Sequence, residues 1–296
     1  MKRVFFIVGP TAVGKSEIAA EVAQRTRAEI LSADAFQIYR GLDLLTAKPH
    51  HEALANVPHH LIGAVPLSEE MNAEKFRVAA EKVLDCDKPM IVVGGTGLYV
   101  KTLTHGIAKL PSANPELRAR LELTTNEELF RSLRALDPVS AEKIDSQNRR
   151  RLIRAVEVCL LTRQPFSGQR IEWKECAPAH GVLLERDRVD LYARINQRVE
   201  QIFAAGVVEE VRGAKNIGPT AEKMLGLREI QALIIGEISQ AECIARIQQS
   251  TRRYAKRQLT WFRRQTNFPS LNLSAHDPAE AVELISQSAS RVFAGE

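Results

Sequence analysis

The sequence predicts an α/β protein, a parallel sheet flanked by helices and interrupted by an all-helical insertion. Three observations carry that expectation. An unbroken apolar run at residues 4–8 leads straight into a glycine-rich string, GPTAVGKS, at residues 9–16. Apolar runs of strand length recur at residues 30–33, 90–93 and 181–184, with helix-period segments between them, the alternation that builds a parallel sheet. From Pro111 to about Pro178 the strand pattern disappears and prolines divide the chain into helical pieces. The expected division is therefore a core of residues 1–112 and 182–296 with a helical insertion at 113–181.

The string GPTAVGKS fits Gly-x-x-x-x-Gly-Lys-Ser, with Gly9, Gly14, Lys15 and Ser16 in place; this is the phosphate-binding P-loop, and it makes the sheet P-loop NTPase-like. Such a loop needs a strand before it and a helix after it, because the unpaired N-terminal amides and the dipole of the helix hold the anion. Ile18, Ala19, Val22 and Ala23 supply the helical spacing. Gly9, Pro10, Thr11, Ala12, Val13, Gly14, Lys15 and Ser16 are thus the expected phosphate binders, with the Ser16 hydroxyl as a ligand for Mg²⁺.

The second strand ends at Asp34, in SADAFQIYRGLDLLTAKP at residues 32–49. Loops after strand ends line the ligand crevice of a parallel sheet, so Asp34 should face the phosphate loop. There it could serve as a general base, a magnesium partner or a helix cap. A helix marked by Phe76, Ala79, Ala80 and Val83 precedes the strand at 90–93, which runs into GGTGLYV. Gly94, Gly95 and Gly97 allow close backbone approach to a ligand, with the Thr96 hydroxyl between them; a plain strand-to-helix turn accounts for the same glycines.

The insertion's longest helix is expected from about Gln147 to Arg163, with Leu152, Ile153, Val156, Cys159 and Leu160 on one face and Arg150 and Arg154 turned away. After the strand at 181–184, a helix from about Asp190 buries Leu191, Ile195, Val199, Ile202 and Phe203 and leaves Arg194 and Arg198 off that face. Ser239 and Glu242 form the signature of a capping box. The helix they open has an apolar stripe through Ile244, Ile247, Tyr254, Ala255 and Phe262. Arg252, Arg253, Lys256, Arg257, Arg263 and Arg264 share an arc of about 140° on the opposite side, at 100° per residue. No glutamate at four-residue spacing offsets them, which favours a nucleic acid backbone as their partner. The tail beyond Pro269 shows a weak helical pattern near residues 279–292 and no motif.

Composition bounds the function classes. With 45% hydrophobic and 26% charged residues over 296 positions, the chain is an ordinary globular protein. Forty-one Lys and Arg against 36 Asp and Glu give a net charge of +5, a mild pointer to a polyanionic partner. Cys86, Cys159, Cys176 and Cys243 are too scattered for a zinc site or a disulfide framework and suit a reducing cytoplasm. The opening apolar run stops at Gly9 and Pro10, too short for a signal peptide, and no run reaches membrane-spanning length.

Taken together, GPTAVGKS, SADAFQIYRGLDLLTAKP, VVGGTGLYVK, SANPELRARLE, RRRLIRAVEV, LYARINQRV and RRYAKRQLTWFRR, in that order, resemble the bacterial type of the tRNA dimethylallyltransferase (tRNA isopentenyltransferase) family. The resemblance runs to about residue 268. It implies transfer of a dimethylallyl group from dimethylallyl diphosphate to N6 of the adenosine 3′ to a tRNA anticodon, with Mg²⁺ as cofactor. It implies a catalytic set of Asp34 as base, Thr96 lining the reaction channel, and Arg194 assisting the loop. It further implies contact with the anticodon stem-loop through Asp34, Ala35, Phe36, Gln37, Thr96, Arg118, Arg150, Arg151, Arg154, Lys223, Gly226, Arg228, Arg252, Lys256, Arg257, Trp261 and Arg263. A cytoplasmic monomer without a membrane segment is the expectation. Ala35, Gly63 and Leu227 depart from the family's usual serine, aspartate and tyrosine. The main rival is a P-loop kinase of a small metabolite, in which ATP would occupy the loop and Asp34 would activate a hydroxyl. It gives no role to the one-sided basic helix. A non-enzymatic RNA-binding adaptor, the third class, leaves Lys15, Ser16 and Asp34 without purpose.

Overall fold

The computed structural model of the chain describes residues 3–49, 55–108, 110–169 and 179–295. It divides into two compact units, Met1–Thr104 with Glu175–Glu296, and His105–Lys174. Cys176 and the end expected for the helical insertion near Pro178 lie outside the described residues.

The first unit is built on six parallel strands: β1 Val4–Val8, β2 Glu29–Ser32, β3 His59–His60, β4 Met90–Gly94, β5 His180–Glu185 and β6 Ser270–Asn272, in the spatial order β3-β2-β4-β1-β5-β6. This is the P-loop NTPase-like sheet the sequence predicts. β1 and β4 are buried along their whole length, as strands covered on both faces must be. Side chains of alternate residues enter two different cores. Phe5, Ile7, Ile30 and Ile91 pack with Ile18, Ala19 and Val22 of the helix Lys15–Thr26, while Phe6, Val8, Leu31 and Val92 pack with Phe76, Tyr99 and Phe262. The tail is a full partner in this packing. Its helix Pro278–Ala294 seats Ala281, Val282, Ile285 and Ala289 against the Lys15–Thr26 face.

Because β1 lies between β4 and β5, chain leaving β1 runs toward β2 on one side and chain leaving β4 runs toward β5 on the other. That reversal opens a crevice at the carboxyl ends of the strands. The loop 9–16, Asp34 and the Gly94–Thr96 turn all come directly after those ends. The long helix Gln240–Gln265 begins with Ser239 accepting the Glu242 N–H at 3.2 Å. The Glu242 carboxylate does not return to the cap and instead accepts Arg246 at 2.5 Å.

The second unit contains the helices Pro115–Glu122, Asn126–Leu136, Pro138–Lys143 and Arg149–Thr162 around Leu129, Leu133, Leu152 and Val156. Asn114, Thr125, Asp137 and Asn148 cap them through side-chain oxygens. Glu157 is wholly buried here. Its carboxylate accepts Arg154 at 2.7 Å, Arg118 at 3.1 Å and the Asn114 N–H at 3.0 Å, which pins the first of these helices to the last.

Candidate active site

Three cations hold the phosphate loop through its carbonyls. Lys15 donates its ammonium to Pro10 O at 2.7 Å, Arg194 Nε donates to Ala12 O at 3.0 Å, and Arg186 Nε donates to Val13 O at 2.8 Å. Arg186 is itself fixed by Asp190 at 2.7 Å. Gly9 and Gly14 adopt positive φ of 155° and 108°. A Cβ on Gly9 would stand 2.5 Å from Leu184 O of β5, so this position admits no side chain. The helix Lys15–Thr26 has no side-chain cap, which leaves its first amides available to an anion.

Charge is concentrated around the loop. Burial pushes the Lys15 ammonium down to about 8; the Asp34 and Glu17 carboxylates work against that shift, and the Arg198 cation adds to it. Arg198 Nη1 reaches Thr11 Oγ1 at 3.2 Å. Burial pulls its pKa down while Asp34 and Glu17 support its charge. Lys15, Arg194 and Arg198 thus present a cationic wall with Asp34 close enough to act on two of its members.

Asp34 is braced from β4. Gly94 lies against Ala33, where a Cβ would come within 2.2 Å of Ala33 O, and the Thr96 hydroxyl accepts the Ala35 N–H at 2.9 Å. Asp34 Oδ1 accepts the N–H groups of Phe36 and Gln37 at 2.9 and 3.2 Å. Capping and chemistry need not compete, since Oδ2 accepts no hydrogen bond among the described residues. Burial first, then the Asp34 charge, raises the Tyr254 pKa. Gln37 accepts the Ser32 hydroxyl at 3.3 Å and donates to Ala47 O at 3.0 Å. Glu210 holds the same segment by accepting Leu44 N and Leu45 N at 2.8 and 3.0 Å.

These groups converge on one cavity of about 640 Å³. Thr11, Lys15, Asp34, Arg194, Arg198 and Tyr254 contribute polar wall, and Val199, Ile202, Met224, Leu225 and Ile247 contribute apolar wall. Phe36 and Gln37 also line it, whereas Thr96, expected on the channel wall, does not; its hydroxyl accepts the Ala35 N–H. The arrangement suits a substrate with an anionic head and a small hydrocarbon body, with a carboxylate placed to take a proton.

Cations read from the sequence as one class fall into two. Arg150, Arg151, Lys223, Arg228 and Lys256 are exposed and have no partner among the described residues. Arg118 and Arg154 are bound to the buried Glu157, so Arg154 does not simply point to solvent. Arg252 donates to Asn196 at 3.1 Å and lies 5.8 Å from the Tyr192 ring, and Arg257 lies 5.7 Å from the Tyr254 ring. Arg263 grips Glu185 of β5 with bonds of 2.9 and 2.6 Å and holds that carboxyl below its usual range. The six cations of this helix have no glutamate at four-residue spacing, as read from the sequence, but Arg263 among them is offset from a strand 78 residues earlier. Trp261 rests on Gly97, where a Cβ would approach its ring to 2.2 Å. Gly226 takes a φ of 88° beside Ile247, and Leu227 is wholly buried.

Sequence reasoning assigned no role to Arg186, Arg198, Tyr254 or Gln258. Arg198 had a usable signal, its four-residue spacing from Arg194. Gln258 had one as well: at 100° per residue it falls inside the apolar stripe, between Tyr254 and Ala255, where a lone carboxamide marks a buried hydrogen-bonding group.

The profile of the IPP transferase family matches residues 37–265. A tRNA dimethylallyltransferase of Geobacter sulfurreducens is 41% identical over 280 residues, spanning 88% of this chain and 89% of that protein. One from Acetivibrio thermocellus is 38% identical over 298 residues, spanning 95% of each. Among solved structures, the full-length tRNA isopentenylpyrophosphate transferase of Bacillus halodurans superposes with a TM-score of 0.72 at 31% identity, covering 100% of this chain and 98% of that one. A eukaryotic dimethylallyltransferase described as acting on tRNA gives 0.80 at 25% identity, covering 98% of this chain and 78% of its own.

Proposed function

Since the chain belongs to the IPP transferase family, we propose that it transfers the dimethylallyl group of dimethylallyl diphosphate to N6 of the adenosine 3′-adjacent to a tRNA anticodon, releasing diphosphate. The observation that carries this reading is the shared cavity: the cationic loop, the Asp34 carboxylate and the apolar wall of Ile202, Met224 and Ile247 meet in it.

The diphosphate sits on the amides that open the helix Lys15–Thr26, with Lys15, Arg194 and Arg198 neutralising the charge that grows as the allylic C–O bond breaks. Arg194 and Arg186 keep the loop in shape through its carbonyls. N6 forms the new bond to carbon and gives up a proton to Asp34 Oδ2. That nitrogen is a weak nucleophile because its lone pair is delocalised into the ring, so positioning and proton removal matter most. An anticodon loop supplies an unpaired base that can be splayed into a pocket at small cost. Arg150, Arg151, Lys223, Arg228 and Lys256 are free to meet the RNA backbone. Arg118, Arg154 and Arg263 shape the protein that presents them.

Ser16 fits a Mg²⁺ ion, being a hard oxygen donor at the start of the helix, exposed and without a hydrogen bond among the described residues. When bound, the ion adds positive charge at the diphosphate. The protein acts as a monomer in the cytoplasm, where its tRNA substrate is. No helix of the described residues is long and apolar enough to cross a membrane.

The test is to incubate the protein with Mg²⁺, unmodified tRNA and either labelled dimethylallyl diphosphate or labelled ATP. Label from the first should appear on tRNA as N6-dimethylallyl adenosine. Transfer of the ATP γ-phosphate to a small acceptor, with no prenyl transfer, would establish the kinase reading instead.

A further inference from the structure

The carboxamide of Gln258 joins segments that the reaction uses separately. Gln258 lies in the helix Gln240–Gln265 and is only 6% exposed although polar. Its Oε1 accepts the backbone N–H of Thr11 at 2.9 Å, and its Nε2 donates to Gly95 O at 2.9 Å. One partner can only donate and the other can only accept. A carboxamide satisfies both; an ionised glutamate lacks the donor, and methionine or leucine lacks a usable group for either. The closeness depends on glycine, because a Cβ at residue 95 would stand 2.3 Å from Nε2.

The two backbone groups belong to opposite ends of the chemistry. Thr11 is in the phosphate loop, which receives the leaving group. Gly95 precedes Thr96, whose hydroxyl holds Ala35 beside Asp34, on the side where the nucleophile loses its proton. The third connection is the helix itself. Tyr254, one turn before Gln258, lines the cavity together with Asp34, and exposed Lys256 and Arg257 stand on the same turn.

We propose that Gln258 is a positioning residue that sets the separation between the phosphate loop and the Asp34 turn, and ties that separation to the seating of the cation-bearing helix. The inference rests on the transferase reading. Displacement of diphosphate by nitrogen requires the two reactants nearly in contact and aligned, and a misplacement of about 1 Å costs on the order of 100-fold in rate. Gln258 lines the same cavity but spends both polar atoms on backbone groups, so its contribution appears in turnover more than in affinity.

Three full-length single variants, and the double of Gln258→Met with Gly95→Ala, test this. Gln258→Met keeps length and loses both bonds, Gln258→Glu keeps the acceptor only, and Gly95→Ala displaces the carboxamide while leaving Gln258 in place. Each is assayed for kcat and for KM toward dimethylallyl diphosphate and tRNA, for direct binding of both, and for thermal melting. Gln258→Met and Gly95→Ala should each lower kcat about 10- to 100-fold while both affinities stay within about threefold. The double variant should be no worse than the more impaired single, because both changes break one link. An undiminished kcat in the two single variants would overturn the proposal. So would a joint loss of tRNA binding, diphosphate binding and thermal stability, which would make Gln258 a fold-holding residue. If Gln258→Met does not fold, Gly95→Ala decides, since its severe clash, at 2.3 Å, is with the movable end of a side chain, while Gly9 O stands farther off at 3.3 Å. Wild-type protein that transfers no prenyl group would sink the transferase reading and this inference with it; wild-type transfer with unimpaired variants sinks the positioning role alone.

Discussion

Arg253, Lys256 and Arg264 on the helix Gln240–Gln265 are exposed without partners among the described residues, while Arg252 and Arg263 on the same side are held by Asn196 and Glu185. The three free cations lie within about 80° of arc at 100° per residue, a spacing that can track one strand of phosphates. Each phosphate neutralised lowers the binding constant by about 0.7 to 0.9 log units per log unit of salt. Replacing all three with glutamine should therefore flatten the salt slope of tRNA binding by about 2 to 3 units. Between about 50 and 200 mM salt, wild type should lose roughly 20- to 40-fold more affinity than the triple variant. The pair Arg252→Gln and Arg263→Gln, by contrast, should leave the slope near that of wild type and lower the melting temperature through loss of the Glu185 and Asn196 contacts. Fluorescence anisotropy with labelled tRNA across a salt series measures all three proteins, with circular dichroism confirming the fold. The triple variant should lose affinity for every tRNA alike, because phosphate contacts carry no sequence information. Parallel slopes for wild type and the triple variant would show this face to be solvated surface, and the RNA-binding role would move to Arg150 and Arg151.

Asp34→Asn should retain tRNA affinity and the turn, since the amide oxygen can still accept Phe36 and Gln37, yet lose about 10²- to 10⁴-fold in kcat; near-normal turnover would leave Asp34 a capping residue. Burial holds the Lys15 ammonium at about 8 in the free protein, and a bound diphosphate favours its charged form. Affinity for dimethylallyl diphosphate should accordingly be full below that pH and fall as pH rises through it. Calorimetry should show a shallower decline for Lys15→Arg, and superimposable pH profiles would remove Lys15 from the anion site. Glu157→Ala strips the shared partner from Arg118 and Arg154 and should destabilise the helical unit by about 1 to 3 kcal/mol, less than the roughly 3 to 5 kcal/mol of a fully buried broken pair because both arginines reach solvent. Thermal denaturation reads this directly, and an unchanged melt would mean that the buried carboxylate holds nothing together.

The fold was legible wherever burial on two faces left a continuous apolar run. β1, β4 and β5 stand within one residue of the runs at 4–8, 90–93 and 181–184. β3 and β6, with two and three residues, are too short to have a period. The tail helix Pro278–Ala294 gave a weak pattern because Ala281, Ser286 and Ala289, small side chains, make much of its buried face. Small residues pack closely while contributing little to any hydrophobic contrast. The loop 9–16 and Asp34 were readable because phosphate binding demands particular residues at fixed spacing, and because residues at the carboxyl ends of parallel strands are delivered to the ligand crevice.

Charged positions were the hardest to read, and the reason is geometric. A helical wheel gives the direction in which an arginine leaves its own helix, but the groups it meets come from elsewhere in the chain. Arg252 and Lys256 lie within about 40° of each other at 100° per residue, yet Asn196 of a neighbouring helix holds the first and the second is free. Arg263 meets Glu185 of β5, and Arg118 and Arg154 share the buried Glu157, a residue not singled out from the sequence. The same limit hid the two partners of Gln258, which lie 247 and 163 residues away. An arginine becomes available for RNA only when no such partner claims it. The exposed, unclaimed set of Arg150, Arg151, Lys223, Arg228, Arg253, Lys256 and Arg264 is therefore where charge reversal should cost tRNA affinity without costing stability, whereas reversal at Arg118, Arg154 or Arg263 should cost stability first.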